Sequence, residues 1–451
     1  MNKGMMRLWG ENGLLTVLAF VLLAGSLVFR WQYAVASSTT DYYLSWVVPE
    51  ALARAPIGDI YAADAQQRME AVLRETPAAG SQDRLEADAA VTAELYRNGA
   101  YSIHSPFLYS VVALLSRGDY EADRRVFIAF CIACFSAAVL LLGTVLGFGL
   151  PLSMLFLVFF NYQSAPLVSD MTVGNVNQVQ LLQIALFSAL LARAHRFAAG
   201  VMLGLGIMFK LNTAFLLPVA ALAPLLDGEW RKGSRLLAGT AAGAAGAVFL
   251  SLASIGTWSM WGAFFRNLFA RMNVPSLNGV CPLENGNYGL SMLLYRATNR
   301  DVSSLLAMLL LAAVAAVFLL TRRVAGRASD RERALQEAFL AAGAGSAIML
   351  LSSPLVWLHY YLFLVPAALY LLRPAGDGGR VILRIAAGFA LALLSTLVAM
   401  LLDDVLYEAI AVNAAALLLL LLILLERWLD RTSGAIMPAG AAAQEGASAN
   451  D

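Results

Sequence analysis

Long apolar blocks separated by short polar ones run through most of the chain, the pattern of helices that cross a membrane. The first block, 14–33, makes a helix about 30 Å long, enough to span a hydrocarbon core. Lys3 and Arg7 precede it, and Arg30 and Trp31 form an interfacial anchor near its end. Ala34-Val35-Ala36 has the small residues of a signal-peptide cleavage site, but the length of the block favours an uncleaved spanning helix. From 34 to about 100 the chain is polar and acidic and has no crossing run, with helical patterns over 64–75 and 82–96. A short apolar piece, 107–115, cannot span and is expected in or along the interface.

Further apolar blocks lie at 126–148, 150–167, 176–191, 236–255, 305–320, 338–351, 354–372, 382–402 and 412–425. The block 197–225 is different. As one helix it measures about 43 Å, longer than a core of about 30 Å. One crossing also places Arg231, Lys232 and Arg235 outside, against the positive-inside rule. Two short arms that turn near Lys210-Leu211-Asn212 keep Arg193, Arg196 and the later cluster on one side. Lys210 is then recessed in the membrane, as broken helices permit where they line a cavity.

With the amino terminus inside, this gives an all-α polytopic membrane protein of about twelve spans and a large first external loop. The divisions are an amino-terminal segment and first span (1–33), the external loop with interfacial helices (34–125), a transmembrane core (126–255), a second external loop (256–300), carboxy-terminal spans (301–431) and an Ala/Gly-rich cytoplasmic tail expected to be disordered (432–451).

Composition agrees with that reading. Of 451 residues 60% are hydrophobic and 14% charged, and the mean hydropathy is +0.70, more apolar surface than a soluble domain of this length can hide. A net charge of +1 gives no reason to expect a nucleic-acid partner. Cys131 and Cys134 read as small core fillers, and Cys281 is alone in an external loop, so no disulfide framework is expected. There is no phosphate-binding glycine loop and no dinucleotide fingerprint. No segment is long enough for a soluble nucleotide fold, so the donor of a transferase of this kind must come from the membrane.

Several polar residues stand out against this background. Asp41, in Thr39-Thr40-Asp41-Tyr42-Tyr43, lies just outside the first span, where a carboxylate is either a helix cap or a tethered catalytic base. Lys210 is costly at membrane depth, on the order of 3 kcal/mol, and is either a phosphate ligand or one half of an ion pair with Asp170. His359 sits in Trp357-Leu358-His359-Tyr360-Tyr361, read as early in a helix that begins at Pro354, where the aromatic neighbours suggest a sugar-stacking wall. Ser169-Asp170 and Gly174-Asn175-Val176-Asn177-Gln178 open a span, as caps or as sugar and phosphate ligands. Glu284-Asn285-Gly286-Asn287-Tyr288-Gly289, in the second external loop, is either a turn only or a functional segment. Gly200 and Gly204 form a small-xxx-small pair for close helix packing.

In motif order, from 14 to about 373, the chain resembles glycosyltransferase family 87 of the GT-C superfamily. Asp41-Tyr42-Tyr43 is similar to the acidic opening of that family's first external loop. Tyr101-Ser102-Ile103-His104-Ser105-Pro106 is similar to its aromatic-proline stretch, with Ser105 for a proline. Gly174 to Gln178 resembles its Gly-Gln-Val-Asn helix start. Gly204 to Asn212 resembles its glycine-rich run ending in lysine, without the usual proline after it. Glu284 to Leu290 resembles its Asn-Gln-Ser-hydrophobic-Gly loop. Ser353-Pro354-Leu355-Val356-Trp357-Leu358-His359-Tyr360 resembles its Ser-Pro-x-Ser-Trp-x-His-His motif, with Val356 for Ser and Tyr360 for the second His.

The resemblance implies a hexosyltransferase of the bacterial inner membrane with an outward-facing site. It would move a sugar, mannose in the family's mycobacterial members, from a polyprenyl phosphate to a glycan or glycolipid with inversion. It implies Asp41 as base and Lys210 and His359 at the donor phosphate. Tyr42, Tyr43, His104, Asp170, Asn175, Asn177, Asn285, Asn287, Trp357 and Tyr360 would contact substrate. No cofactor is expected, and no metal. A lipid or lipid-linked-sugar flippase or transporter is the competing reading of the same lysine and broken helices.

Overall fold

The computed structural model describes residues 3–62, 64–75, 83–95, 104–255, 258–273, 286–322, 329–374 and 380–436. The expectations on Tyr101, Ser102, Ile103, Cys281, Glu284, Asn285, Arg323, Arg327 and the tail from 437 lie outside the described residues.

The described chain is all-α. Its helices are α1 (Lys3–Ala36), α2 (Thr40–Arg54), α3 (Ala65–Glu75), α4 (Asp83–Leu95), α5 (Pro106–Ala113), α6 (Tyr120–Val145), α7 (Leu150–Gln163), α8 (Ala165–Val173), α9 (Asn177–Ala192) and α10 (Arg196–Phe209). After a 3-10 turn, Leu211–Phe215, come α11 (Leu216–Leu226), α12 (Trp230–Ser254), α13 (Trp258–Asn273), α14 (Leu290–Thr298), α15 (Ser303–Arg322) and α16 (Asp330–Ser352). A second 3-10 segment, Leu358–Leu364, leads into α17 (Val365–Leu372), α18 (Val381–Leu393), α19 (Thr396–Leu402) and α20 (Val405–Ile436).

Six of these are long and apolar enough to cross a membrane, and six more apolar stretches of 10–17 residues fill in between them, in keeping with the expected dozen. The short ones survive because the bundle covers them. α16 is the axis, buried at nearly every position from Ala338 to Ser352. Its core contacts include Phe339 stacked on Tyr370 with ring centroids 5.2 Å apart.

The stretch around Lys210 is a hairpin. The backbones of α10 and α12 touch, so that a Cβ on Gly200 would run into Leu236 O, one on Gly204 into Thr240 O, one on Gly239 into Phe197 O and one on Gly243 into Val201 O. Residue number rises together on both helices, so α10 and α12 are parallel. Pro224 and Leu225 at the end of α11 instead lie against Gly233 at the start of α12, which makes α11 antiparallel to both. Residues 194–198 line one cavity of about 1050 Å³ with Asp227, Glu229, Lys232 and Arg235, placing both basic clusters at the same end of the molecule. Its acidic and basic side chains balance, with Arg196 paired to Glu337 and Lys232 to Glu229, both at 2.6 Å.

Three expectations are corrected. The blocks 150–167 and 382–402 are each broken once. Ser164 caps α8 and Ser395 caps α19, through Leu167 N and Val398 N. The two breaks also face each other, Ala165 N donating to Leu394 O at 3.0 Å, so backbone groups freed in the membrane satisfy one another. The piece 107–115 does not lie along a surface. It becomes α5, buried on most sides and capped by Ser105, whose hydroxyl accepts from Leu108 N at 3.1 Å. Ser353 to Trp357 is extended rather than the start of a helix, and His359 sits on the 3-10 segment after it.

The segment expected as the first external loop folds as α2, α3 and α4 over a second apolar core, where Tyr42, Trp46, Ile60, Leu108, Tyr109 and Tyr120 meet.

Candidate active site

Local breaks in helical structure bring the polar residues together. Gly174, left-handed at φ +67°, ends α8, and Asn175 and Asn177 follow it. A Cβ on Gly174 would also stand 2.9 Å from Thr39 Cβ, so a glycine serves both the backbone sign and the close approach. Lys210, extended at φ −156°, ends α10. Gln180 on α9 donates to Lys210 O at 3.2 Å and to Asn212 Oδ1 at 3.0 Å, and Ser105 Oγ donates to Phe209 O at 3.1 Å. Asp41 is the second residue of α2.

Asn175 is the hub. Lys210 Nζ donates to Asn175 Oδ1 at 3.0 Å and to Asn177 Oδ1 at 3.0 Å, and Val176 N also donates to Asn175 Oδ1, at 2.7 Å. An ammonium and a backbone N–H only donate, so the amide orientation is fixed by chemistry. Asn175 Nδ2 therefore points the other way. It donates to Asp41 Oδ2 at 2.5 Å and lies 3.3 Å from His359 Nε2. In that arrangement Nε2 accepts, and the proton of a neutral His359 is on Nδ1.

The aromatic wall stands on the same groups. Lys210 Nζ lies 4.5 Å from the centroid of the Tyr360 ring, a cation–π contact. His359 is edge-on to Tyr360 at 4.9 Å and stacked with Trp357 at 6.4 Å. Asp170 is fully buried below the hub, its Oδ2 accepting from Gln178 Nε2 at 3.1 Å. Asp41 and Asp170 both act electrostatically on Lys210. Its ammonium nevertheless donates to the two asparagine oxygens.

His104 closes another side. Its carbonyl accepts from Tyr61 Oη at 2.9 Å and its ring meets Tyr109 edge-on at 6.0 Å. Burial pushes the His104 imidazole down to about 3, with the charge of Lys210 adding to the effect, so it is neutral at ordinary pH.

Asp41, Asn175, Asn177, Lys210, His359, Tyr360, Asp170 and Trp357 are thus gathered from four distant parts of the chain. Tyr42, Tyr43 and Asn287 are turned to other work. Tyr42 stacks on Phe127 at 4.5 Å in the loop core, and Tyr43 Oη donates to Glu70 at 3.2 Å. Asn287, fully buried, donates to Pro354 O and accepts from Val356 N and Gly289 N, a clasp that holds the extended segment before His359. Gln180 was not singled out by sequence, because a glutamine within an apolar helix has no motif. A polar residue at that depth was the available signal.

Among the described residues no three His, Cys, Asp or Glu gather as metal ligands. The free thiols Cys131 and Cys134 are buried in the apolar core beneath the loop.

A family model described as glycosyltransferase family 87 matches residues 101–354. The match starts after Asp41 and stops short of His359, and it contains Asp170, Asn175, Asn177 and Lys210. No curated protein and no solved structure matches the chain. The matched stretch is more than half of the 451 residues, and the chain, an all-α polytopic membrane protein, belongs to glycosyltransferase family 87.

Proposed function

We propose that this membrane glycosyltransferase takes its sugar from a polyprenyl phosphate, mannose being the expected sugar, and passes it to a glycan or glycolipid on the outer face of the bacterial inner membrane. The observation that carries this reading is the amide of Asn175, which holds a carboxylate and an ammonium on opposite sides of one small site. A base and an anion-holding cation at such a separation suit a displacement in which acceptor and leaving group occupy opposite faces of one carbon.

In this reading Asp41 accepts the proton of an acceptor hydroxyl as its oxygen attacks the anomeric carbon. The bond from that carbon to the phosphate oxygen breaks, and its electron pair leaves with the phosphate. One displacement inverts the anomer. Lys210 meets the negative charge that grows on the phosphate. Nδ1 of His359 is available as a further donor, since Nε2 faces Asn175. Trp357 and Tyr360 give the sugar an aromatic face. The positive charge comes from Lys210, so the step as written uses no metal.

The test is transfer by purified protein in liposomes, with labelled polyprenyl-phosphate mannose and a mixture of envelope glycolipids as acceptors. Labelled glycolipid of inverted configuration is expected. Transfer from a soluble nucleotide sugar and none from the lipid phosphate would overturn the reading.

A further inference from the structure

A buried carboxylate on α4 stands behind the start of α2. Asp88, on α4, is 1% exposed, and its Oδ2 accepts from Thr39 Oγ1 at 3.0 Å and from Tyr120 Oη at 2.7 Å. Arg84 Nε lies 3.4 Å from its other oxygen. Thr39 is itself fully buried and occupies the cap position of α2, two residues before Asp41. A threonine there normally accepts a hydrogen bond from the first turn of its helix. Here its side chain makes no such bond and donates to Asp88 instead.

Thr39 touches the other half of the site as well. A Cβ on Gly174, the residue directly before Asn175, would stand 2.9 Å from Thr39 Cβ and 3.0 Å from Tyr42 Cβ. One buried carboxylate on the loop thus fixes a threonine that abuts both chain segments of the Asp41–Asn175 pair. One turn along α4, the buried Thr92 Oγ1 donates to Asp88 O at 2.6 Å, a bond within the helix that does not involve Thr39.

We propose that Asp88, acting through Thr39, is a positioning residue that sets the orientation of Asp41, so that the docking of α4 completes the site. The catalytic part of this proposal rests on the reading of Asp41 as base. Misplacing a reacting group by about 1 Å can cost about 100-fold.

Thr39→Val keeps shape and branching and removes only the donor. In proteoliposomes it should lower kcat about 10–100-fold while the donor KM stays within about twofold, because the Lys210 contacts are untouched. Thr39→Ser should restore kcat. Thr92→Val, which removes a buried hydroxyl from the same helix but leaves the Asp88 carboxylate and Thr39 bonded, should keep wild-type kcat. Amide hydrogen exchange supplies a second reading without turnover. The first turns of α2 should exchange faster in Thr39→Val and not in Thr92→Val. Wild-type kcat in Thr39→Val, or equal effects of the two valine variants on exchange, would overturn the proposal. If the wild-type protein transfers no sugar, the functional reading fails, and the exchange comparison still decides whether Asp88 and Thr39 order the start of α2.

Discussion

Asp41 and Asn175 stand 134 residues apart in sequence and meet in a hydrogen bond of 2.5 Å, Asn175 Nδ2 donating to Asp41 Oδ2. The same amide accepts from Lys210 through Oδ1. Asn175→Ala should therefore damage two functions at once. Transfer should slow and donor binding should weaken, since the base and the cation each lose a partner. Titration of donor analogue binding beside single-turnover transfer checks this. A loss of rate alone would mean that Asn175 serves only Asp41.

Lys210 makes its hydrogen bonds to Asn175 and Asn177, with Asp170 buried nearby. Lys210→Met removes a charge from membrane depth, so the fold should persist and binding of a lipid-phosphate analogue should weaken. If Asp170 depends on Lys210 as an ion-pair partner, the single variant is unstable and Asp170→Asn rescues it. Thermal melts of the single and double variants separate the two cases.

The glycine contacts between α10 and α12 set where Lys210 ends up. Gly204→Ala would press a methyl group into Thr240 O, backbone that cannot rotate aside. Overpacking of this kind costs about 1–3 kcal/mol, and here it should also displace the end of α10 and weaken donor binding. Gly246→Ala is the control, because a Cβ there meets nothing within 4 Å. Equal melting temperatures for the two variants would contradict the packing argument.

His104 gives a pH signature. Its folded value is pushed down to about 3, against 6.5 for the free side chain. Below 6.5 the unfolded chain takes up a proton that the folded chain refuses. Stability is therefore intact above that value and is lost as pH falls towards 3. Between pH 7 and 5 the loss is about 2 kcal/mol. The melting temperature of the wild type should fall over that interval by more than that of His104→Gln. Parallel curves would place His104 in contact with water.

Much of this was legible in the sequence. Block lengths and the sign of the charges gave the all-α bundle, and the conflict between length and charge in 197–225 pointed to a hairpin turning at Lys210. What was not legible were the breaks at Ser164 and Ser395, since each is stabilised by the other, far away in sequence. The motif residues Asp41, Asn175, Lys210 and His359 do converge, yet nothing local says that Asn175 stands between the other three. Tyr42 and Tyr43 look the same in sequence whether they face a substrate or a core, and Thr39 and Asp88 carry no motif at all. Only the tertiary packing of the loop distinguishes them.

Whether Asp41 is the base is decided by single-turnover transfer by Asp41→Asn. Asparagine keeps the size and can still accept from Asn175, but it cannot take a proton. A general base contributes about 10²–10⁴-fold, so transfer should fall by about that factor while binding of the lipid-phosphate donor stays near that of the wild type. Near-normal transfer by Asp41→Asn would rule Asp41 out as the base.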